Sequence, residues 1–566
     1  MKNCQNCQQP FTIAPDDFSF YEKMGVPAPT WCPECRLIRR LAWRNERSLY
    51  KRECARCKAS QISIFSPEAN RVVYCNSCWW GDQWDSLEYG IDYDPTKPFF
   101  EQINQLMQRV PTQPLWTVPS TMVNSPYNNL AAYLKNCYMV FHADYSEDCA
   151  YAAGLKHCKD SIDITMLQRS ELCYECVNVI KGYKNFFCVD CEDSRSIFFS
   201  KGLVNCSDCF GCVNLRGKNY HIFNEPYSRE GYFEKLKTLD FSSYANVQDL
   251  KKQTQEFRQK FPVRYMRGRR NLNSSGDYVY DSKNTLFSYE TFGAENCKYC
   301  QFASTKPTSD SYDYTEWGLG VELMYEALLS GEGVANIKFS AHTVANCRDI
   351  EYSHTMIGSS DCFGCVGLRN KQYCILNRQY SPDEYADLIS KIKSQMSKMG
   401  EYGEFFPMEM SPFPYHESTA HEYFPRPITV MLKDKPHTPT ISWKDIPDRI
   451  QEVQDSILDE IIFCQTWYEN PAMAGLHNCT KAFRLTGQEL QFYRKNGLPV
   501  PRKCHNTRHH ERIKFRAPIR FYHRSCMCTQ SHPQHNDQCP NEFETSYSPD
   551  RPEIVYCEPC YQQEVL

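Results

Sequence analysis

The chain has 566 residues, 64 basic against 68 acidic side chains, and 32 cysteines. Such a length is worth about three to four domains at roughly 150 residues each, and the near-balanced charge excludes a chain-wide field that would by itself select nucleic acid or an anionic membrane. No apolar run long enough to span a bilayer occurs and no apolar core follows Met1, so the reading is a soluble, cytoplasmic protein without a membrane partner. Cysteines in a reducing compartment suit metal ligands better than disulfides, and a secreted disulfide protein is the rival reading.

Residues 1–80 carry four Cys-x-x-Cys pairs: Cys4/Cys7, Cys32/Cys35, Cys54/Cys57 and Cys75/Cys78. A structural zinc ion takes four thiolate or imidazole ligands tetrahedrally, and each pair supplies two sulfurs from one tight turn. The economical sites are Cys4, Cys7, Cys32, Cys35 and Cys54, Cys57, Cys75, Cys78, with iron a chemically acceptable competitor. The segment from Arg36 to Arg47 is predicted helical. Its Arg36, Arg39, Arg40, Arg44 and Arg47 share one face with Trp43, a stripe that a phosphate backbone or a single strand could use. The bland account is neutralisation of the thiolate clusters, since each zinc with four thiolates carries a net charge of −2.

Cys4-x-x-Cys7, Phe11-x-Ile13, Phe20-Tyr21-x-Lys23, Pro27 and Cys32-x-x-Cys35-Arg36 resemble the probable zinc-ribbon domain family, small treble-clef-like bacterial modules. The resemblance spans about residues 1–45 and again about 476–516. It implies a structural zinc site with Cys4, Cys7, Cys32 and Cys35 as ligands, and no catalytic activity. The whole architecture is similar to long cysteine-rich zinc-binding proteins of uncultured bacteria, which implies no function.

A helix is predicted across Pro98 to Val110, and the proline-rich stretch Pro111 to Pro126 reads as a linker. An internal repeat follows. Ser207 to Val213 recurs as Ser360 to Val366, and Leu215, Arg216, Tyr220 and Asn224 recur as Leu368, Arg369, Tyr373 and Asn377, all at one constant offset. Upstream, Tyr174-Glu175 resembles Tyr325-Glu326. Within each copy a smaller period shows, as short β-prone strings that start at Cys137, Ser161, Cys176, Ser194 and Cys212, the later ones at steps of fifteen, eighteen and eighteen. Recurrence of that kind points to a parallel β-helix, with ordinary antiparallel sheets as the alternative. Cys206, Cys209, Cys212, Cys362 and Cys365 read as stacked small side chains, because related positions exchange Cys with Ser and Ala.

Ser381-Pro382-Asp383-Glu384 is a capping box opening a helix to about Met399, and Ser228 opens its counterpart. Another helix is expected over Val247 to Phe261, a long connector over Glu404 to Pro439, and a helix at about Ile446 to Gln465. The opening block then returns. Cys7, Arg36, Arg40, Arg44 and Cys54 match Cys479, Arg508, Arg512, Arg516 and Cys526, again at one constant offset. Cys4 falls on Leu476 and Cys35 on Thr507, leaving two sulfurs that do not hold structural zinc alone. His477 or His505 could complete that site, but packing alone is the expectation. The second quartet reads as Cys526, Cys539, Cys557 and Cys560, with Cys528 a substitute and His532 and His535 as surface residues.

The expected fold is mainly β with peripheral helices: zinc-ribbon or treble-clef modules at both termini flanking a duplicated parallel β-helix middle. The divisions are 1–80 tandem ribbon, 81–126 helix and linker, 127–239 first solenoid copy, 240–276 helical connector, 277–392 second copy, 393–475 connector and helix, and 476–566 closing ribbons. About three Zn2+ per chain are expected. The expected function is a non-catalytic zinc-binding scaffold or adaptor offering an extended surface to protein or nucleic acid. The alternative is a β-helix enzyme acting on carbohydrate or another polymer, with Asp208, Arg216, Asp361 and Arg369 as recurring candidates.

Overall fold

The computed structural model describes residues 1–427, 438–516 and 518–565. Within the middle of the chain a three-residue rhythm governs the backbone. Leu130, Tyr133, Asn136, Met139, His142, Tyr145, Asp148 and Tyr151 are all left-handed, with φ from 51 to 55°. Each turns the chain through a corner, and the next residue points inward: Ala131, Leu134, Cys137, Val140 and Ala143 are at most 6% exposed. Four triplets close a coil. Tyr138 pairs in parallel with Ala150, Ala150 with Ile162 and Ile162 with Tyr174, each partner standing twelve positions on.

These coils form a β-solenoid in two stacks, one running from Met122–Val123 to Asn219–Ile222 and the other from Gly268–Arg269 to Gln372–Ile375. The parallel β-helix is therefore present, and the segment read as a linker already contributes a strand to it. The coil length differs from the expected step. Steps of fifteen and eighteen are multiples of the triplet, because the strings at Ser161, Cys176 and Ser194 lie on different sides of the coil, whereas Cys137 and Ser161 are two full coils apart on the same side. In the second stack the coil lengthens by one position where Tyr312 pairs with Tyr325 and Met324 with Ile337, then returns to twelve where Ser360 pairs with Gln372.

A left-handed conformation costs a non-glycine residue about 1–2 kcal/mol, so each corner needs compensation. Side-chain ladders supply part of it: Asn124 Nδ2 donates to Asn136 Oδ1 at 3.1 Å, and Asn136 Nδ2 to Asp148 Oδ1 at 3.0 Å. Inside, thiols and hydroxyls do the same local work. Ser161 Oγ donates to the Lys159 carbonyl at 2.8 Å and accepts the Cys173 N–H at 3.1 Å. Cys158 Sγ sits 3.3 Å from the Lys156 carbonyl and 3.2 Å from that of Leu167. This shared role explains why Cys206 stands where Ser359 does in the other copy, and Ser194 where Cys347 does. The solenoid cysteines are interior packing, as expected, and none of them joins a metal-compatible cluster among the described residues.

The last coil of each stack is closed alike. Asn224 Oδ1 accepts the Val213 N–H at 2.9 Å and Asn377 Oδ1 that of Val366 at 2.8 Å, which accounts for the repeated asparagine. Helices Arg229–Lys237 and Pro382–Met399 follow, the second with the expected capping box, and cover ends that would otherwise expose unpaired strands. The helix Phe99–Arg109 forms as read, and Tyr244–Arg258 forms slightly earlier than expected. No helix spans Ile446 to Gln465: two 3-10 turns, Ile450–Glu452 and Asp455–Leu458, precede the strand Ile462–Phe463. The expected connector contains 3-10 turns and the helix Thr419–Tyr423, and its stretch 428–437 lies outside the described residues.

Each terminal module docks on the stack from the opposite half. Helix Pro33–Leu41 lies on strands Tyr312–Gly318 and Val321–Gly331, and helix His505–Ile513 on Ala150–Lys156 and Ile162–Gln168. The two interfaces are copies. Phe20 stacks on Tyr312 at 3.9 Å, and Tyr21 meets Tyr325 edge-on as Tyr493 meets Tyr174.

The shared role of Ser and Cys can be measured. Ser161→Ala should cost about 1–3 kcal/mol in urea unfolding, because the buried Cys173 N–H loses its acceptor, whereas Ser161→Cys should cost clearly less. Equal losses from the two variants would contradict the hydrogen-bonding role.

Candidate metal centres

Every cysteine module is built from a short hairpin followed by a helix. In the first, strands Lys2–Asn3 and Pro10–Phe11 bring Cys4 and Cys7 together, and Cys32 caps helix Pro33–Leu41 with Cys35 in its first turn. Cys32, Cys75 and Cys504 share one cap geometry, with φ near −65° and ψ near 160°. The backbone N–H of this second-half cysteine donates to the first sulfur of its module at 3.2 Å in all four: Cys32 to Cys4, Cys75 to Cys54, Cys504 to Cys464 and Cys557 to Cys526.

Three sets of four cysteines have their sulfurs within 4.8 Å of one another: Cys4, Cys7, Cys32, Cys35; Cys54, Cys57, Cys75, Cys78; and Cys526, Cys539, Cys557, Cys560. All twelve predicted ligands are thus gathered as paired. Two thiolates bound to one tetrahedral ion at about 2.3 Å stand about 3.8 Å apart. The Cys7–Cys32, Cys57–Cys75 and Cys539–Cys557 sulfurs are 3.9, 3.6 and 3.8 Å apart. These spacings fit a shared ion, and all the cysteines are free of disulfides. Each set could hold a metal ion.

The site read as degenerate is more complete than the offset suggests. Cys464, Cys479 and Cys504 form a three-sulfur cluster. Cys464 stands in the place of Cys4: its N–H donates to the Lys481 carbonyl at 2.9 Å, as that of Cys4 donates to Gln9, and both follow the first strand of the hairpin. The constant offset hides it because the turn between the first two cysteines grows from three positions to fifteen. The module therefore begins near Ile462 rather than at 476. Thr507 replaces Cys35, with Oγ1 at 3.5 Å from Cys504 Sγ, so three thiolates face a fourth position without a sulfur. His477 does not complete the cluster; it stacks on His510 with centroids 5.2 Å apart. A fourth gathering joins Cys528, His532, His535 and Cys560. Cys526 thus lies in the four-cysteine set while Cys528 gathers with His532 and His535, both of which are half-buried rather than exposed.

In the opening modules neighbouring thiols are driven apart: Cys32 is lowered while Cys35 beside it is raised, and Cys75 is lowered while Cys78 beside it is raised. A hydrogen bond from the Cys35 side chain leads the causes that bring Cys32 down to about 5. Burial raises Cys54, but backbone N–H donors from Cys57, Cys75 and Arg56 outweigh it and bring the group to about 6. Placement at a helix N-terminus acts in the same direction on Cys32.

The arginine stripe faces elsewhere than toward phosphate. The helix ends at Leu41, and Arg36, Arg39, Arg40 and Arg44 are buried, at 2, 2, 0 and 4% exposed. Arg36 donates twice to Asp313 Oδ2, at 3.0 and 2.7 Å. Arg39 bridges Glu326 at 2.9 Å and Glu404 at 2.6 Å, Arg40 reaches Glu326 at 2.9 Å and Asp313 at 3.3 Å, and Arg44 pairs with Glu316 and Glu46. Arg47 is half-buried over the Phe141 ring at 5.1 Å, and burial pushes its pKa down to about 10. The possible nucleic-acid contact at these five residues finds no support in their placement, because their partners are carboxylates and a ring of the fold. The charges of Arg36, Arg39, Arg40 and Arg44 are met by these carboxylates rather than by thiolates. The closing module repeats the pattern: Arg508 and Arg512 both pair with Asp163, and Arg516 with Glu290. Asp163 and Asp313 are equivalent, each following the residue that pairs with Tyr174 or Tyr325.

The four residues considered for a polymer-acting site are split between the two stacks. Asp208 and Asp361 are left-handed corner residues, with φ of 50 and 49°, and Arg369 lies 5.2 Å from the rings of both Trp79 and Trp84. No protein-family model matches the chain, and no curated protein matches it.

Two outcomes follow from this geometry. Asp313→Asn should destabilise the chain by about 3–5 kcal/mol in chemical denaturation, because Arg36 and Arg40 keep their charges without full partners. A loss under about 1 kcal/mol, the usual worth of an exposed pair, would show that the pairing is dispensable. A lowered thiol pKa leaves the thiolate charged above that value and protonates it below. Because protons compete with a bound ion for the thiolates, metal held by the opening modules should stay bound at pH 7 and be released progressively on acidification, read with a metallochromic dye; a bound fraction independent of pH down to about 3 would contradict thiolate ligation.

Proposed function

We propose that this protein is a non-catalytic scaffold whose terminal modules are zinc ribbons, one structural zinc in each four-cysteine set. The observation that carries the reading is the fourfold repetition of one ligand geometry, in two end blocks each of which grips the solenoid through the arginines of one helix. Borderline-soft Zn2+ with four thiolates in a closed tetrahedral set is the arrangement of a structural site. The three-sulfur cluster of Cys464, Cys479 and Cys504 would take a further ion with an outside ligand opposite Thr507.

Partners, on this reading, meet the outward corners of the solenoid. Tyr133, Tyr145 and His157 stack in sequence along one corner, at 4.4 and 4.9 Å, and the two tyrosines are 51 and 49% exposed. An exposed aromatic column of this kind suits a protein surface or the bases of a single strand. No described helix is long and apolar enough to cross a membrane.

Elemental analysis of protein purified without a metal-affinity tag tests the proposal. At least three zinc ions per chain are expected, and their removal by a strong chelator should lower the thermal midpoint. Iron in their place, or no metal, would overturn the reading. Binding to single-stranded RNA or DNA, if that is the partner, should weaken on Tyr133→Ala/Tyr145→Ala and keep a salt dependence; unchanged binding in that variant would remove the corner as the contact.

A further inference from the structure

The second knuckle of the closing block differs from its counterpart in one respect. Cys54 and Cys57 are three positions apart, whereas Cys526 and Cys539 are thirteen apart. The added loop carries Cys528, His532 and His535 back to the cluster. Their ligand atoms and Cys560 Sγ all lie within 4.8 Å of one another. Cys528 is fully buried, Cys560 is 1% exposed, and the His532 side chain is 6% exposed.

The geometry is that of ligands aimed at one point. His532 Nε2 lies 3.1 Å from Cys528 Sγ, and His535 Nε2 lies 3.1 Å from Cys560 Sγ. His535 Nδ1 is 2.7 Å from the carbonyl oxygen of Asp537, which can only accept, so Nδ1 carries the proton and Nε2 presents a lone pair. His532 and His535 are held opposite each other by two backbone hydrogen bonds, His532 N–H to His535 O at 2.8 Å and the reverse at 3.1 Å. Histidines merely solvating a surface loop would need neither this turn nor a buried thiol between them.

We propose that Cys528, His532, His535 and Cys560 bind a second divalent transition ion, with the Cys560 thiolate bridging it to the ion of Cys526, Cys539 and Cys557. The inference rests on the metal reading given above and extends it to a two-ion centre. Two thiolates and two neutral imidazoles are a full tetrahedral set for zinc, and a thiolate has lone pairs enough for two ions. At about 2.3 Å per metal–sulfur bond, the shared sulfur keeps the ions within about 4.6 Å. The charge balance improves as well: five thiolates and two divalent ions sum to −1, against −2 for one ion with four thiolates. The inserted loop thus becomes a second staple on helix Glu558–Val565, which supplies the bridging residue.

Native mass spectrometry of the full chain tests this, comparing the wild type with His532→Gln/His535→Gln and with Cys528→Ser. Each variant should carry one ion fewer than the wild type, with an unchanged circular dichroism spectrum. A wild-type ion count equal to that of both variants would overturn the two-ion centre while leaving the structural zinc reading intact. A wild type without metal would overturn both. Alkylation with peptide mapping guards against a variant that fails to fold. In the wild type, Cys528 should react only after chelation; reaction without chelation, while Cys526 and Cys539 stay protected, would also overturn the proposal.

Discussion

A buried cluster of guanidinium and carboxylate groups sets the terms for the whole molecule. Arg36, Arg39 and Arg40 converge on Asp313 and Glu326, whose side chains are fully buried. Burial opposes the charge on Glu326, yet the surrounding arginines hold its carboxyl below the usual range. Buried charges are costly unless each finds partners in good geometry. That geometry depends on the helix carrying the arginines, and the helix begins at Cys32 and Cys35. On the proposed reading, a metal ion fixes the first turn, the first turn aims the arginines, and the arginines bind a module to coils remote in sequence.

The same chain of dependence operates twice. Arg508 and Arg512 on Asp163 reproduce Arg36 and Arg40 on Asp313, so each end of the chain clasps the stack built by the other half. The closing copy keeps this clasp while its two knuckle turns lengthen, one toward Cys464 and the other toward Cys528, His532 and His535. Ligand chemistry thus varies at the module's outer edge, where loops tolerate insertion, and the interface stays fixed.

Cys-x-x-Cys spacing in this chain has two physical origins. At the ends it reflects a knuckle that brings two sulfurs within reach of one ion. In the middle, Cys173/Cys176, Cys188/Cys191 and Cys206/Cys209/Cys212 reflect the three-residue corner period, which makes every third residue face inward. The first kind is legible from pairing arithmetic, and the second only as exchange between Cys, Ser and Ala. The twelve-position coil stays hidden because its corners accept Tyr, Met, His and Leu in a left-handed conformation that glycine or asparagine would have signalled. Helices with caps, such as Pro382–Met399, can be read locally. The role of the arginine stripe cannot, since its carboxylate partners are remote in sequence. Cys464 escapes because a constant offset does not register across an insertion; its position directly after Ile462-Phe463, a β-prone pair like that opening a hairpin, is the available signal.

Hydrogen–deuterium exchange on the full chain, with and without a strong chelator, tests the coupling between cysteine module and solenoid most directly. Removing metal should deprotect helix Pro33–Leu41 and strand Tyr312–Gly318 together, while strands such as Asn219–Ile222, with which no clasp arginine pairs, keep their protection. Loss of protection in the helix alone, with Tyr312–Gly318 unchanged, would contradict it.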